Sequence, residues 1–414
     1  MDLYILDPDI NQLGVIDGYS SLRWRRRFFE PGEFELHCKA SAENLALLRE
    51  GNIIHRLDRS EAGIVEGIKI TTSDSTGEEI TATGRMGSSM LDRRIITPTI
   101  NFNGSVEGTM RKIVSDNAIT ARPLPHLVLG TVGGFAPTAT GQVTYKTALS
   151  AIEALSKAAP LGFRTRLDVP NKQWIFEVYD GVDRTVTQKD RPYVLFSDEF
   201  RNITGPEYTR NSTGYCNYAI VGGEGEGANR VIVEVDQTNG EDRRELWVDA
   251  KDLQNTEDTS ESFSGDGNTA SFALAHTPSS VSSVTVGSST ASYEVNGSTI
   301  TISPAPKQGT SISVSYNYKK LPDAAYAAQL RQRGTEKLAE AKKSESFTAA
   351  AVNTSNFAYL TDWDLGDIVS FEKWGIRLDE RITEVEEVDE NGVIVITPTC
   401  GSPLPETLNL GDDN

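Results

Sequence analysis

Four arginines crowd one short segment: Arg23, Arg25, Arg26 and Arg27 surround Trp24 and precede Phe28. Cations interleaved with aromatics are the chemistry of a nucleic-acid patch, where guanidinium groups meet phosphates and rings stack on bases. The rest of the chain argues against that reading. It carries 59 acidic and 40 basic residues, a formal net charge of -19, and an acidic surface repels phosphate. In a strand, Arg23, Arg25 and Arg27 share one face. The favoured reading is a subunit contact in which they pair with carboxylates of the same or a neighbouring chain.

Other candidate sites are weaker. His37, His55, His126 and His276 stand at no metal-ligand spacing, and no HExxH is present. Asp362, Asp364 and Asp367 space like the start of a calcium loop. That loop needs glycine at its sixth position and glutamate at its twelfth, where this chain has Asp367 and Lys373. Gly222 to Gly227 follows the strand-like run Tyr218 to Val221, which invites a dinucleotide loop. A phosphate cradle needs a helix after the glycines and no negative charge among them. Here Glu224 and Glu226 sit in the loop and Val231-Ile232-Val233 reads as a strand, so a tight β turn is expected. There is no GxSxG elbow. Glu386-Glu387 and Asp412-Asp413 read as solvated pairs. Asn202, Asn211 and Asn296 begin N-x-Ser/Thr sequons, to which no role is assigned. Cys38, Cys216 and Cys400 are odd in number and far apart, which argues for isolated thiols. No catalytic residue, cofactor site or metal site is expected.

The elements that must carry these residues are mostly strands. The N-terminus lacks a basic region followed by an apolar one, and no apolar run is long enough to span a bilayer. No membrane insertion is therefore expected. Leu22, Trp24, Arg26 and Phe28 alternate with the arginines, and Phe34, Leu36 and Cys38 repeat that period after the turn Pro31-Gly32. Ser41 to Glu50 reads as a helical insertion. A helix follows Gly104 with Ser105 as N-cap and Val106, Met110, Ile113 and Val114 as its apolar face. Another covers about Thr144 to Ala159, before two strands joined at Pro170-Asn171-Lys172. Near residue 258 Ser, Thr and Gly take over and basic residues almost vanish. A helix follows Leu321-Pro322, with Ala327, Leu330, Leu338 and Ala341 as a partial apolar face.

A faint duplication organises the chain. Gly51-Asn52-Ile53-Ile54, Ile64-Val65-Glu66 and Gly77 to Gly84 are echoed by Gly366-Asp367-Ile368-Val369, Ile382-Thr383-Glu384 and Gly392 to Gly401. Each set reads as three strands. The expected fold is β-rich α+β: two similar small β-barrel modules with an α+β domain, a helical segment and an inserted β-sandwich. The expected division is 1–98 for the first barrel module, 99–200 for the α+β domain and 201–257 for strands of the second barrel module and a connecting segment. Residues 258–318 form the insert, 319–345 the helical segment, and 346–414 the remainder of the second module and a C-terminal tail.

Several motifs in this order resemble the siphophage tail hub proteins of the ReqiPepy type, related to the baseplate hub fold of contractile tails. They are Gly32 to Leu36, Gly84-Arg85 with Leu91 to Ile96, Leu161-Gly162-Phe163 and Tyr179 to Thr185. Gly222 to Gly227 with Arg230, and Leu365 to Val369, complete the set. The resemblance covers nearly everything outside 258–318. It implies a homotrimer at the distal end of the tail tube, and a non-enzymatic structural role. Three copies of a duplicated module present six near-equivalent modules around an axis, and an acidic channel would let DNA exit without holding it. Implied partners are the distal tail protein, tail tube or tape-measure protein and receptor-binding or fibre proteins. The implied location is the virion tail tip, after assembly in the bacterial host cytoplasm. Two other functions remain open. One is a host-surface glycan or receptor binding module acting through 258–318, whose aromatics are Phe263, Phe272, Tyr293, Tyr316 and Tyr318. The other is a tail-associated cell-wall hydrolase.

Overall fold

Alternating apolar residues build residues 3–86 as seven neighbouring strands of one sheet and one short helix. The elements are β1 (Leu3–Leu6), β2 (Gln12–Ile16), β3 (Tyr19–Arg27), β4 (Glu33–Lys39), α1 (Ala42–Leu47), β5 (Ile53–His55), β6 (Ala62–Ser73) and β7 (Gly77–Met86). The computed structural model describes residues 2–73, 77–351 and 357–401. Leu3, Ile5, Leu22, Trp24, Phe34, Leu36, Ile54, Val65, Ile80 and Met86 all turn to one side and share a core. The Ser41 hydroxyl caps α1 by accepting from Asn44 N at 3.1 Å.

The next segment mixes helix and strand: β8 (Ile100–Ser105), α2 (Val106–Val114), β9 (Leu127–Leu129), β10 (Thr138–Val143), α3 (Ala148–Ala158), β11 (Gly162–Asp168) and β12 (Gln173–Tyr179). Ser105 caps α2 through Gly108 N, and Val106, Met110, Ile113 and Val114 are buried beneath it, as the sequence predicts. Sheet β11-β12-β9 and ribbon β10-β8 enclose a core that also takes in Leu149, Ile152 and Trp174. Then come β13 (Leu195–Ser197) and β14 (Ile203–Asn211).

Two compact units divide the chain, Met1–Gly214 with Lys343–Asn414, and Tyr215–Lys342. The second unit holds β15 (Tyr218–Gly222), β16 (Ile232–Asp236), β17 (Glu245–Asp249), β18 (Thr256–Ser264), β19 (Ser271–Ala273), β20 (Pro278–Val286), β21 (Ser289–Thr290), β22 (Ser292–Asn296), β23 (Thr299–Ser303), β24 (Ser311–Lys319) and α4 (Asp323–Glu340). Residues 201–257 do not stay together. β14 joins the large sheet of the first unit, whereas β15 to β17 form their own three-stranded sheet. Their apolar face, Ala219, Val221, Val233 and Val248, needs a cover, and Tyr326, Leu330 and Leu338 of α4 supply it. Gly334 brings the helix close, because a Cβ there would stand 2.7 Å from Val221. Sheets β18-β24-β20-β21 and β19-β23-β22 share a separate core of Phe272, Val284, Ile300, Ile312, Val314 and Tyr316. The Ser and Thr residues of that insert alternate outward, which explains why so polar a segment folds.

Back in the first unit, β25 (Ser344–Ala351), β26 (Ile368–Lys373), β27 (Ile376–Glu390) and β28 (Val393–Gly401) close the order. They pack on Phe196, Phe347, Trp363 and Phe371. The long sheet runs β14-β25-β28-β27-β3-β4-β7-β6-β5-β1-β2, with β26 joining β13 to β27. Among the described residues no sheet closes on itself. The first and last parts of the chain are instead continuous through the antiparallel pair β3·β27.

The duplicated segments fold alike. β5-β6-β7 and β26-β27-β28 are both three-stranded antiparallel meanders. Gly51 N donates to Val65 O and Val65 N to Asn52 O; Gly366 N donates to Ile382 O and Ile382 N to Asp367 O. Both glycines have positive φ, 88° and 94°, a conformation glycine adopts without steric cost. Ile53 pairs with Ile64, and Ile368 with Arg381. A bulge follows Val65 in one meander and Ile382 in the other. The hydrogen bonds therefore match Val65 with Ile382, one residue away from the alignment of Ile64 with Ile382 that side-chain type suggests.

Candidate functional site

The outer face of β3 carries the arginines that the sequence singles out. In register, Arg25 lies between Glu386 of β27 and Glu33 of β4, Arg27 lies beside Glu384, and Arg23 beside Glu35. Arg25 donates to Glu33 at 2.7 Å and to Glu386 at 2.8 Å. Arg27 donates to Glu384 at 2.9 Å and to Glu33 at 3.0 Å. Arg23 reaches Glu386 at 3.2 Å and its side chain is 47% exposed, against 19% for Arg25. Burial by itself lowers the Arg25 and Arg27 pKa values, yet the surrounding carboxylates outweigh it and hold both above the usual range. The carboxylates lie in the same chain, so Arg25 and Arg27 are neutralised within the fold.

The inner face of the same strand pair is a buried ionic joint that reading by composition misses. Arg26 pairs with Glu61 and donates to Tyr359 Oη at 2.8 Å and Asp364 at 2.7 Å. Burial disfavours its charge, but Glu61, Tyr359 and Asp364 keep it well above its ordinary pKa. Arg56 and Arg59 converge on Glu387 at 3.0 and 2.8 Å. Tyr19 donates to Asp389 at 2.6 Å, and burial with that carboxylate raises its pKa. The sequence reading of Glu386-Glu387 as a solvated pair is corrected here. Strand alternation sends Glu386 outward to Arg25 and Glu387 inward, where it is 2% exposed. The alternation of Glu384, Glu386 and Val388 with Val385, Glu387 and Asp389 was the available signal. Asp412-Asp413 lies outside the described residues.

Motifs far apart in sequence converge beside this joint. A Cβ on Gly162 or on Gly366 would meet the Phe28 ring at 2.5 Å, and one on Gly181 would meet Gly366 O at 1.7 Å. Asp367 accepts from Val182 N and from Arg184 Nε, each at 2.8 Å. Arg381 lies over Phe28 and donates to Asp180 at 2.8 Å. The segments Leu161 to Phe163, Tyr179 to Thr185 and Leu365 to Val369 thus form one packed junction.

The remaining candidates have local roles. Asp362 accepts from Ala358 N and Asp364 from Arg26, so with Asp367 the three carboxylates point to different donors. Among the described residues no three His, Cys, Asp or Glu groups gather as a metal site. Gly222 to Gly227 leads through a short turn into β16, and Glu224 accepts from Asn255 N and Thr256 N at 2.8 Å. His37 stands between Glu35 and Glu79, His55 is buried, His126 approaches Asp9, and His276 stacks on Tyr318. No described helix is long and apolar enough to cross a membrane.

Solved structures of phage tail proteins share this fold. The 43 kDa tail protein of prophage MuSo2 from Shewanella oneidensis is 10% identical, with a TM-score of 0.53, covering 97% of this chain and 98% of that one. A tail protein from Neisseria meningitidis MC58 is 11% identical, TM-score 0.52, covering 97% and 96%. The prophage tail protein gp18 from Listeria monocytogenes EGD-e is 9% identical, TM-score 0.50, covering 97% and 95%. No curated protein matches the sequence. The Siphovirus ReqiPepy6 Gp37-like family matches residues 2–402, as the sequence resemblance implied, and the chain belongs to that family.

Proposed function

We propose that the chain is a structural hub at the distal end of a phage tail, without enzymatic activity. In this reading three copies form a pseudo-six-fold ring. The ring joins the tail tube or distal tail protein to the tip and its receptor-binding or fibre proteins, and its axis is the DNA exit channel. The observation that carries the reading is the pair of meanders with the same hydrogen-bond register, fused through β3·β27. Two like modules per chain are what a trimer needs to match a six-fold tube. Each half of the long sheet would correspond to one barrel module. Membership of a siphovirus family and a fold shared with phage tail proteins support a virion tail location.

The outer face of β3 is the proposed subunit contact. Arg23, Arg25 and Arg27 all lie on it. Arg23, the most exposed of the three, is the one a neighbouring carboxylate can reach, while Arg25 and Arg27 hold the face in shape. Native mass measurement of assembled tails tests the ring. Trimers support it, and monomeric occupancy in tails refutes it.

A further inference from the structure

We propose that His37 is a proton-operated clamp on the outer face of the long sheet: it ties β4 to Glu79 of β7 when its ring carries two protons and releases Glu79 when it carries one. The proposal is independent of the hub reading, because it rests only on groups within one face of one sheet. The His37 side chain is 27% exposed and lies between two carboxylates. Its Nε2 is 2.9 Å from Glu35 Oε1, and its Nδ1 is 3.3 Å from Glu79 Oε2. An ionised carboxylate only accepts, and a neutral imidazole has a single N–H to donate. Both contacts are hydrogen bonds at once only when the ring is an imidazolium.

The singly protonated ring has a partner of its own. Thr81 Oγ1 stands 3.5 Å from Nδ1, and a hydroxyl can donate to the bare nitrogen while Nε2–H keeps Glu35. Glu79 then retains the Ser20 hydroxyl, which lies 3.1 Å from its Oε1 and 3.1 Å from His37 O. Glu79 and Thr81 are two apart on β7 and share a face. The proton thus moves Nδ1 between two neighbouring groups of the same strand. His37 stands opposite Thr81 of β7 and opposite Ser21 of β3, so the clamp sits at the middle of three paired strands.

The surrounding charges are drawn from four strands. Glu35 and Lys39 flank His37 on β4, Glu79 comes from β7, Arg23 of β3 stands opposite Glu35, and Lys69 of β6 stands opposite Thr81. Burial by itself lowers the His37 pKa, but the hydrogen bonds to Glu35 and Glu79 outweigh it and hold it above its usual value. The hydrogen bond from His37 in turn holds the Glu35 carboxyl below the usual range, against its burial. Loss of the proton makes this face one charge more negative beside Arg23, within the pH range where only histidine ordinarily titrates.

Nuclear magnetic resonance of the full chain with histidine labelled at Cε1 reads the clamp directly. The chain has 4 histidines, and loss of one signal in His37→Gln, or in His37→Thr should the first variant not fold, identifies the resonance of His37. We expect that resonance to titrate above the ordinary histidine value of about 6.5, and Glu79→Gln to move its midpoint down. Stability follows with the same sign. A raised folded pKa gives a contribution that is complete below the unfolded pKa and is lost as pH rises through the folded one. The denaturant midpoint of the unaltered chain should therefore exceed that of the folded His37 variant by more at about pH 5 than at about pH 9. Circular dichroism of each variant establishes that it folds. A His37 midpoint at or below the ordinary value overturns the proposal. So does a midpoint that Glu79→Gln leaves in place, or a stability difference that is the same at both pH values.

Discussion

Arg56 donates to Glu387 across 331 positions of sequence, at 3.0 Å, with both side chains 2% exposed. This contact and Arg26–Glu61 lie on the inner side of β3·β27, where apolar packing would be expected in a sheet interior. The cores on either side stop at the joint: Leu22 and Trp24 belong to one, Phe28 and Val385 to the other. Removing a single partner from such a pair costs more than the pair contributes, because it strands a buried charge.

Glu387→Ala should therefore destabilise the chain by about 3–5 kcal/mol. It takes the buried carboxylate from Arg56 and Arg59 and leaves them the more exposed Asp58. Denaturant unfolding of the isolated chain measures this, and a loss below about 1 kcal/mol would show that the joint is solvated.

Charge reversal on the outer face should separate folding from assembly. Arg25→Glu places a carboxylate among Glu33, Glu384 and Glu386 and should cost the isolated chain about 2 kcal/mol. Arg23→Glu should leave chain stability within about 0.5 kcal/mol while reducing trimer formation in assembled tails. Normal assembly with Arg23→Glu removes Arg23 from the proposed contact.

Gly181→Ala should cost roughly 3 kcal/mol or more, since its Cβ would overlap the Gly366 carbonyl at 1.7 Å. Gly18 has no atom within 4 Å of a built Cβ. Gly18→Ala is the matched control and should be nearly neutral. Equal thermal unfolding of both variants would mean the Gly181–Gly366 approach is not tight.

Glu224→Ala should loosen the neck of the insert. It removes the acceptor of Asn255 N, Thr256 N and the Thr256 hydroxyl. Hydrogen exchange at Asn255 and Thr256 should quicken by about tenfold or more. Exchange in the core strands β20 and β24 should not change. If their exchange quickens equally, the insert and its neck unfold as one body.

Burial pushes the Glu153 carboxyl up to about 7, with the negative charge of Glu30 adding to it and Lys157 opposing it. A folded pKa above the unfolded one means that the folded state binds this proton more tightly. The stability so gained is present below about pH 4.5 and is lost as pH rises through 7. Glu153→Gln should therefore raise the unfolding temperature at pH 8 and change it little at pH 4.5. The opposite order would place the carboxyl in contact with water or a cation.

Much of the local structure was legible from residue types. Ser105 announced its cap and α2 its apolar face, since a helix terminus is satisfied by groups a few residues away. Alternation put Arg23, Arg25 and Arg27 on one face and Arg26 on the other. The repeat was visible too, but its register was one residue off, because backbone hydrogen bonds rather than side-chain identity define equivalence between strands. Sequence alone could not show that β15 to β17 would pair with α4, nor that β27 would lie against β3. Those pairings depend on which apolar faces remain uncovered once the chain closes. The fate of Glu386 and Glu387 makes the same point. Adjacent and chemically identical, they are parted by a strand pleat, one to the half-exposed ladder and one to the buried joint. Only the partner strand decided what each would meet.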